Sequence, residues 1–281
     1  MVITGAGGQV GRVLAVQAGR RGYDVSALGH RDLDITDAAA VADAVSAGDL
    51  VVNCAAFNDV DVAESDPQAA HAINAEGPGN LARACAQAGA RLIHISTDYV
   101  FGGGADRSTP YEVDEPTAPH GVYAQTKRDG ERAVFAALPG AHVVRTSWVY
   151  TGADGSDFVA VMRRLAAGDT AVDVVDDQTG SPTYSLDLVA ALLEVAERDI
   201  GPGILHAANA GAASRFDQAR AVFAEVGADP QRVRPIPTSA SLRAAPRPVY
   251  SALSMAQSVR AGLSPLRGWR DALAEAIAAA P

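Results

Sequence analysis

Apolar runs of strand length alternate with longer stretches of helical period through the first half of the chain. Met1 to Thr4, Asp24 to Leu28, Leu50 to Cys54, Arg91 to Ser96 and His142 to Ser147 read as strands. Val10 to Arg21, Ala38 to Ser46, Ala69 to Ala88 and Tyr123 to Ala137 read as helices between them. Near-continuous Val, Ile and Leu strands suit burial on both faces, and each parallel neighbour needs a crossover that the helices supply. The pattern predicts an α/β fold built on a doubly wound parallel sheet.

Beyond Trp148 the alternation loosens. A helix is expected over Asp157 to Ala167, a strand at Val172 to Val175, a helix at Ser185 to Glu197, a strand at Gly203 to Ala207 and a helix at Phe216 to Val226. The segment Asp229 to Arg247, rich in Pro and Arg, reads as an extended surface loop before a last helix at Gly268 to Ala280. Residues 1–150 therefore form a nucleotide-binding domain. Residues 151–281 form mainly a smaller C-terminal substrate-binding lobe, interleaved with the first as one folding unit because no linker or repeat separates them.

Composition narrows the function classes. Lys plus Arg total 23 against 33 Asp plus Glu, a net charge of −10 with no basic tract, which argues against nucleic acid and anionic membrane as partners. No leader-like N-terminus and no run of 18 apolar residues occurs, so a cytoplasmic location is expected. Cys54 lies in an apolar strand and Cys85 in an Ala-rich helix; both read as buried free thiols, since no ligand stands at metal spacing.

Glycines 5, 8 and 11 stand in Thr4-Gly5-Ala6-Gly7-Gly8-Gln9-Val10-Gly11, where the first strand should turn into the first helix. Gly5 suits the tight turn, Gly8 a close approach of backbone to pyrophosphate, and Gly11 the packing of the helix on the sheet. The helix N-terminus adds free N–H groups and partial positive charge. The placement points to a dinucleotide, and the spacing, two residues between successive glycines, resembles the short-chain dehydrogenase pattern, a resemblance that implies a Tyr and Lys pair downstream.

Tyr123 and Lys127 are that pair, four residues apart and so one turn apart on a helix face. Lys127 is the sole lysine in a chain that otherwise uses Arg. Reducing a ketone by hydride leaves an alkoxide that needs a proton, and a phenol of ordinary pKa about 10 gives it up more readily beside a compact cation. Thr97 closes the fourth strand, where its hydroxyl can reach the substrate carbonyl or the Tyr123 oxygen. After the second strand comes Gly29-His30-Arg31 rather than an acid, which favours the 2′-phosphate of NADPH, while Asp32 and Asp34 nearby keep NADH open.

These features, with Asn53-Cys54-Ala55-Ala56, Ser96-Thr97-Asp98-Tyr99-Val100-Phe101, Arg145-Thr146-Ser147-Trp148-Val149-Tyr150 and Asp177-Gln178-Thr179-Gly180-Ser181-Pro182-Thr183, resemble the dTDP-4-dehydrorhamnose reductase family of extended short-chain dehydrogenases. The resemblance implies a Rossmann sheet, NADPH, and reduction of a dTDP-linked 4-keto sugar. It makes Gly8, Gln9 and Val10 pyrophosphate contacts, Asp34 and Ile35 neighbours of the adenine, and Ala55, Ala56 and Phe57 a wall along the cofactor. Thr97, Asp98 and Trp148 would meet the sugar and Arg247 the dTDP moiety. Tyr123 would be the proton donor, with Lys127 holding the ribose and lowering the Tyr123 pKa.

The chain departs from the family at Phe101-Gly102-Gly103, where Phe-Asp-Gly is common, and at Pro246-Arg247-Pro248-Val249-Tyr250-Ser251, where Arg-Arg-Pro-x-Asn-Ser is. Some members dimerise through Mg²⁺ held by glutamates, one on the first helix. Here Arg12 and Val13 stand there, so no metal is predicted and a homodimer is left open. The rival readings are a reductase of another nucleotide-linked 4-keto-deoxysugar and a non-catalytic regulatory subunit of the same fold.

Overall fold

A computed structural model describes residues 1–104, 106–152 and 155–280. Twelve strands occur among them: β1 Val2–Thr4, β2 Ser26–Leu28, β3 Leu50–Asn53, β4 Arg91–Thr97, β5 His142–Thr146, β6 Val149–Tyr150, β7 Val172–Val175, β8 Thr179–Gly180, β9 Thr183–Tyr184, β10 Gly203–His206, β11 Ala213–Ser214 and β12 Val233–Ile236. Six form one parallel sheet in the order β10-β5-β4-β3-β1-β2. The strand order reverses beside β1, which leaves a crevice at the carboxyl ends of β1 and its neighbours.

Strand alternation decides which residues fill each side of this sheet. Ile3, Val52, Ile93 and Val144 face a core shared with the helices Gln9–Arg20 and Ser185–Glu197. Val2, Val51, Leu92 and Val143, each one residue earlier, face the core under Gly77–Ala88 and Val122–Ala137. Because successive side chains point to opposite faces, the apolar runs are used on both. β10, from the second half of the chain, is the sixth strand of this sheet and lies beside β5.

A second core joins Tyr150, Val159, Val174, Phe223 and Trp269 between the helices Phe158–Ala166, Arg215–Glu225 and Trp269–Ala278. Here the expectation of an extended loop over Asp229 to Arg247 is corrected. Val233–Ile236 is strand β12, paired in parallel with β7. Arg232 fixes it by donating to the carbonyls of Leu165, Ala166 and Thr170 at the end of the Phe158–Ala166 helix. Pro235 is accommodated because β12 pairs with one neighbour only.

The single helix expected over Ala69 to Ala88 is also corrected. It starts at Pro67 and passes through a π-helical turn at Ala72–Glu76 before Gly77–Ala88. That turn brings the Asn74 carbonyl so close to Gly130 that a Cβ there would stand 2.1 Å from it. A short helix, Val60–Ser65, started by the Asp59 side chain, was not expected from the pattern. Among the described residues no helix is long and apolar enough to cross a membrane.

Candidate active site

At the carboxyl end of β1 the chain turns through Gly5, whose φ of +63° favours glycine. A Cβ there would lie 2.5 Å from the Ala55 nitrogen, so this loop packs directly on the end of β3. A hydrogen-bonded ladder fixes that end. Asn53 Oδ1 accepts from Thr4 Oγ1 and the Ala55 N–H, while Asn53 Nδ2 donates to His94 Nδ1 across three neighbouring strands. Burial pushes the His94 imidazole well below its ordinary pKa, so the ladder carries no charge.

Gly11 serves a different contact from the one expected. Its added Cβ would meet the Gly5 carbonyl oxygen at 2.4 Å, so it lets the helix start close on its own loop rather than on the sheet. Gly8 caps the helix without a side chain. The first N–H groups of Gln9–Arg20 therefore remain available to an anion.

Gly8, Gln9 and Val10 open one end of a cleft of about 510 Å³. Ala55 and Ala56 form a wall, and Thr97, Asp98, Tyr123, Lys127 and Trp148 lie around the rest. Asp157, which caps the Phe158–Ala166 helix at Ala160, closes the glycine-loop end by accepting from Gln9 Nε2 at 3.2 Å and from Thr151.

Several candidates lie outside this cleft. Phe57 donates its N–H to Asn74 Oδ1 behind the wall. Ile35 is a core residue pressed on Gly77, and the Asp34 carboxylate accepts from the Thr36 N–H and hydroxyl, which lowers its pKa. Arg31 is exposed beyond β2. None of these four lines the cleft.

Tyr123 sits in the first turn of Val122–Ala137, a helix whose cap Gly121 has no side chain; Glu64 accepts the Val122 N–H at 2.8 Å instead. Desolvation pushes the Tyr123 phenol above its ordinary pKa, opposed by a hydrogen bond with Thr97 and reinforced by the Asp98 charge. The Tyr99 ring meets it edge-on at 5.6 Å. Thr97 is the neighbour that draws the phenol's pKa downward. Lys127 Nζ donates to the Ile95 carbonyl at 2.7 Å, and burial lowers its pKa to about 8, against the pull of Glu131.

Below Lys127 the Glu131 carboxylate takes both Nε and Nη2 of Arg145, at 2.8 and 2.7 Å, and the Ser96 hydroxyl at 2.6 Å. This buried fork joins β4, β5 and the helix of Tyr123. Asp98 is held by the hydroxyls of Thr97, Ser147 and Ser251, and burial raises its pKa. Burial likewise pushes both the Cys54 and the Cys85 thiols up to about 12, which leaves them protonated and unreactive. Among the described residues no group of three or more His, Cys, Asp or Glu is placed to hold a metal.

A second cleft of about 420 Å³ shares Ser156 with the first and is lined by Tyr99, Gln178, Arg215, Arg243 and Arg247 above apolar Met162 and Val174. Arg247 therefore faces this cleft and not the one holding Tyr123. It donates to Asp61 Oδ2 at 2.9 Å, and Asp61 also accepts the Ala245 N–H. Sequence reasoning missed Arg215, Ser147, Ser251, Glu131 and Asp157. Ser251 closes the family-like string at Pro246, whereas the lone Arg215 carries no local signal.

The family model described as RmlD substrate binding domain matches residues 1–280. The dTDP-4-dehydrorhamnose reductase of Mycolicibacterium smegmatis is 63% identical over 279 residues, 99% of this chain and 85% of that one. A probable dTDP-4,6-dihydroxy-2-methyloxan-3-one 4-ketoreductase of Streptomyces antibioticus is 48% identical, over 98% of this chain and 94% of its own. Among solved structures, dTDP-4-dehydrorhamnose reductase from Bacillus anthracis in complex with NADP aligns with a TM-score of 0.92 at 35% identity, covering 98% of this chain and 96% of that one.

Proposed function

Since the chain belongs to the dTDP-4-dehydrorhamnose reductase family of NADPH-dependent oxidoreductases, we propose that it reduces the 4-keto group of dTDP-4-dehydro-L-rhamnose to give dTDP-L-rhamnose. The observation that carries this reading is the single cleft in which the bare helix start at Gly8 and the Tyr123 phenol lie together. The cradle fits a dinucleotide phosphate, because Gly5 and Gly11 leave no room for a Cβ and the helix start has no side-chain cap. NADPH bound there supplies the hydride.

Every other part of the chemistry falls to the chain. Gly8, Gln9 and Val10 hold the pyrophosphate, and Ala55 and Ala56 admit a flat ring along the wall. Thr97 and Tyr123 hydrogen-bond the carbonyl oxygen, and Tyr123 donates its proton as charge develops there. Lys127, four residues on from Tyr123, would hold a ribose hydroxyl of the cofactor, and its ammonium would steady the resulting phenolate. Asp98 and Trp148 flank the sugar, and residues 151–281, apart from those in the large sheet, take the nucleotide in the cleft of Arg247 and Gln178.

The test is NADPH oxidation with dTDP-4-dehydro-L-rhamnose generated in situ. Product identified as dTDP-L-rhamnose supports the reading, and no consumption above the sugar-free rate refutes it. The Streptomyces antibioticus relative favours a second reading, a reductase of a different dTDP-linked keto sugar. Comparing kcat/KM for the 4-keto sugar nucleotide with and without its 2-hydroxyl separates them.

A further inference from the structure

Arg215 opens the helix Arg215–Glu225, and the capping box between Ser214 and Asp217 fixes its backbone. Its guanidinium carbon lies 3.5 Å from the centroid of the Trp148 ring and 4.8 Å from that of Phe158. Nη1 donates to Gln218 Oε1 at 3.1 Å. Among the described residues, no carboxylate stands within 4.0 Å of it. Arg243 and Arg247, which line the same cleft, both reach Asp61, at 3.7 and 2.9 Å. Asp98 acts on Arg215 only from longer range, its oxygens being taken by three hydroxyls.

A cation enclosed by protein without a counter-ion is costly, and the cost falls when an anion arrives. Enclosure already lowers the Arg215 pKa to about 10. The place of the side chain says which anion fits. Trp148 lines the first cleft and Arg215 the second, so the stacked pair is the partition between them. A nucleotide-linked sugar with its ketone at Tyr123 and its base in the second cleft carries its diphosphate past that partition.

We propose that Arg215 seats the diphosphate of the substrate and, through its stack on Trp148, positions that ring against the sugar. The proposal rests on the reading of the substrate as a nucleotide-linked keto sugar. Trp148 is held in an unusual way: its φ of +47° is the sole positive value outside glycine among the described residues. Its indole is wedged against Gly180, where a Cβ would fall 2.4 Å from Trp148 Cε2. Arg215 covers the ring face, so it backs the indole while its charge stays open to the second cleft.

The experiment measures binding of dTDP, thymidine and NADPH to the natural protein, Arg215→Met and Arg215→Lys by calorimetry, and kcat and KM for the keto sugar nucleotide. In Arg215→Met, dTDP affinity falls by about 10- to 100-fold, the range for a charge-assisted contact, while thymidine and NADPH hold within about threefold. Arg215→Lys recovers part of the dTDP affinity yet keeps a low kcat, because an ammonium attracts phosphate without backing the indole. Unchanged dTDP affinity in Arg215→Met overturns the seat. Should that variant misfold, as lost NADPH binding would reveal, natural dTDP affinity and kcat in Arg215→Lys overturn the proposal instead. A natural protein that binds NADPH but not dTDP fails at the substrate reading, before Arg215 is in question.

Discussion

A buried phenol beside a carboxylate keeps its proton at any ordinary pH, which is the state a donor needs, and Tyr123 is held in that state by enclosure and by Asp98. Tyr123→Phe is expected to lower kcat by about 10²-fold or more, with NADPH affinity unchanged in a direct titration. Lys127 has the opposite problem. Its pKa falls from 10.5 to about 8, so the unfolded chain binds more protons than the folded one between those values, and stability from this group rises with pH across that window. The natural protein should gain Tm relative to Lys127→Met as pH rises from 8 to 10.5, and have no advantage below 8. In activity the sign reverses, because only the protonated amine is a cation: kcat/KM should decline as pH rises through about 8. Both residues were legible in the sequence because helix geometry turns a spacing of four into neighbours. Arg215 was not, since it meets Trp148 only through tertiary packing, 67 residues along the chain.

At the scale of elements, the sheet was legible wherever a run was apolar on both faces, and illegible where strands were short or carried Pro. β12 contains Arg234 and Pro235 and shows one buried residue, so its pattern is that of a loop. The Val60–Ser65 helix spans too few residues for a period to show, yet it orients the Tyr123 helix through Glu64. The Arg145–Glu131 fork ties β5 to that same helix with side chains only 3% and 5% exposed. Arg145→Met should strand the Glu131 charge and cost about 3–5 kcal/mol, measured by urea unfolding at pH 7. Arg145→Met combined with Glu131→Leu should recover much of that loss. A double variant no more stable than the single one would mean that the fork contributes through shape and not charge.

At the scale of the whole molecule, two clefts meet at one partition, and ligands that bind only the folded chain should stabilise it. NADPH at about 100 times its Kd adds roughly 2.7 kcal/mol, so Tm should climb with NADPH concentration. The climb should be lost in Gly11→Ala, whose Cβ cannot fit 2.4 Å from the Gly5 carbonyl. The place of β10 has a consequence for synthesis. A ribosome finishes β5 at Thr146 and must add roughly 60 more residues before its sheet neighbour at Gly203–His206 exists, about 3–12 s at ordinary elongation speed. Throughout that interval a strand whose five residues are all buried in the finished protein lies at a raw sheet edge. The nascent chain is thus most exposed to wrong pairing while its nucleotide cradle is already complete.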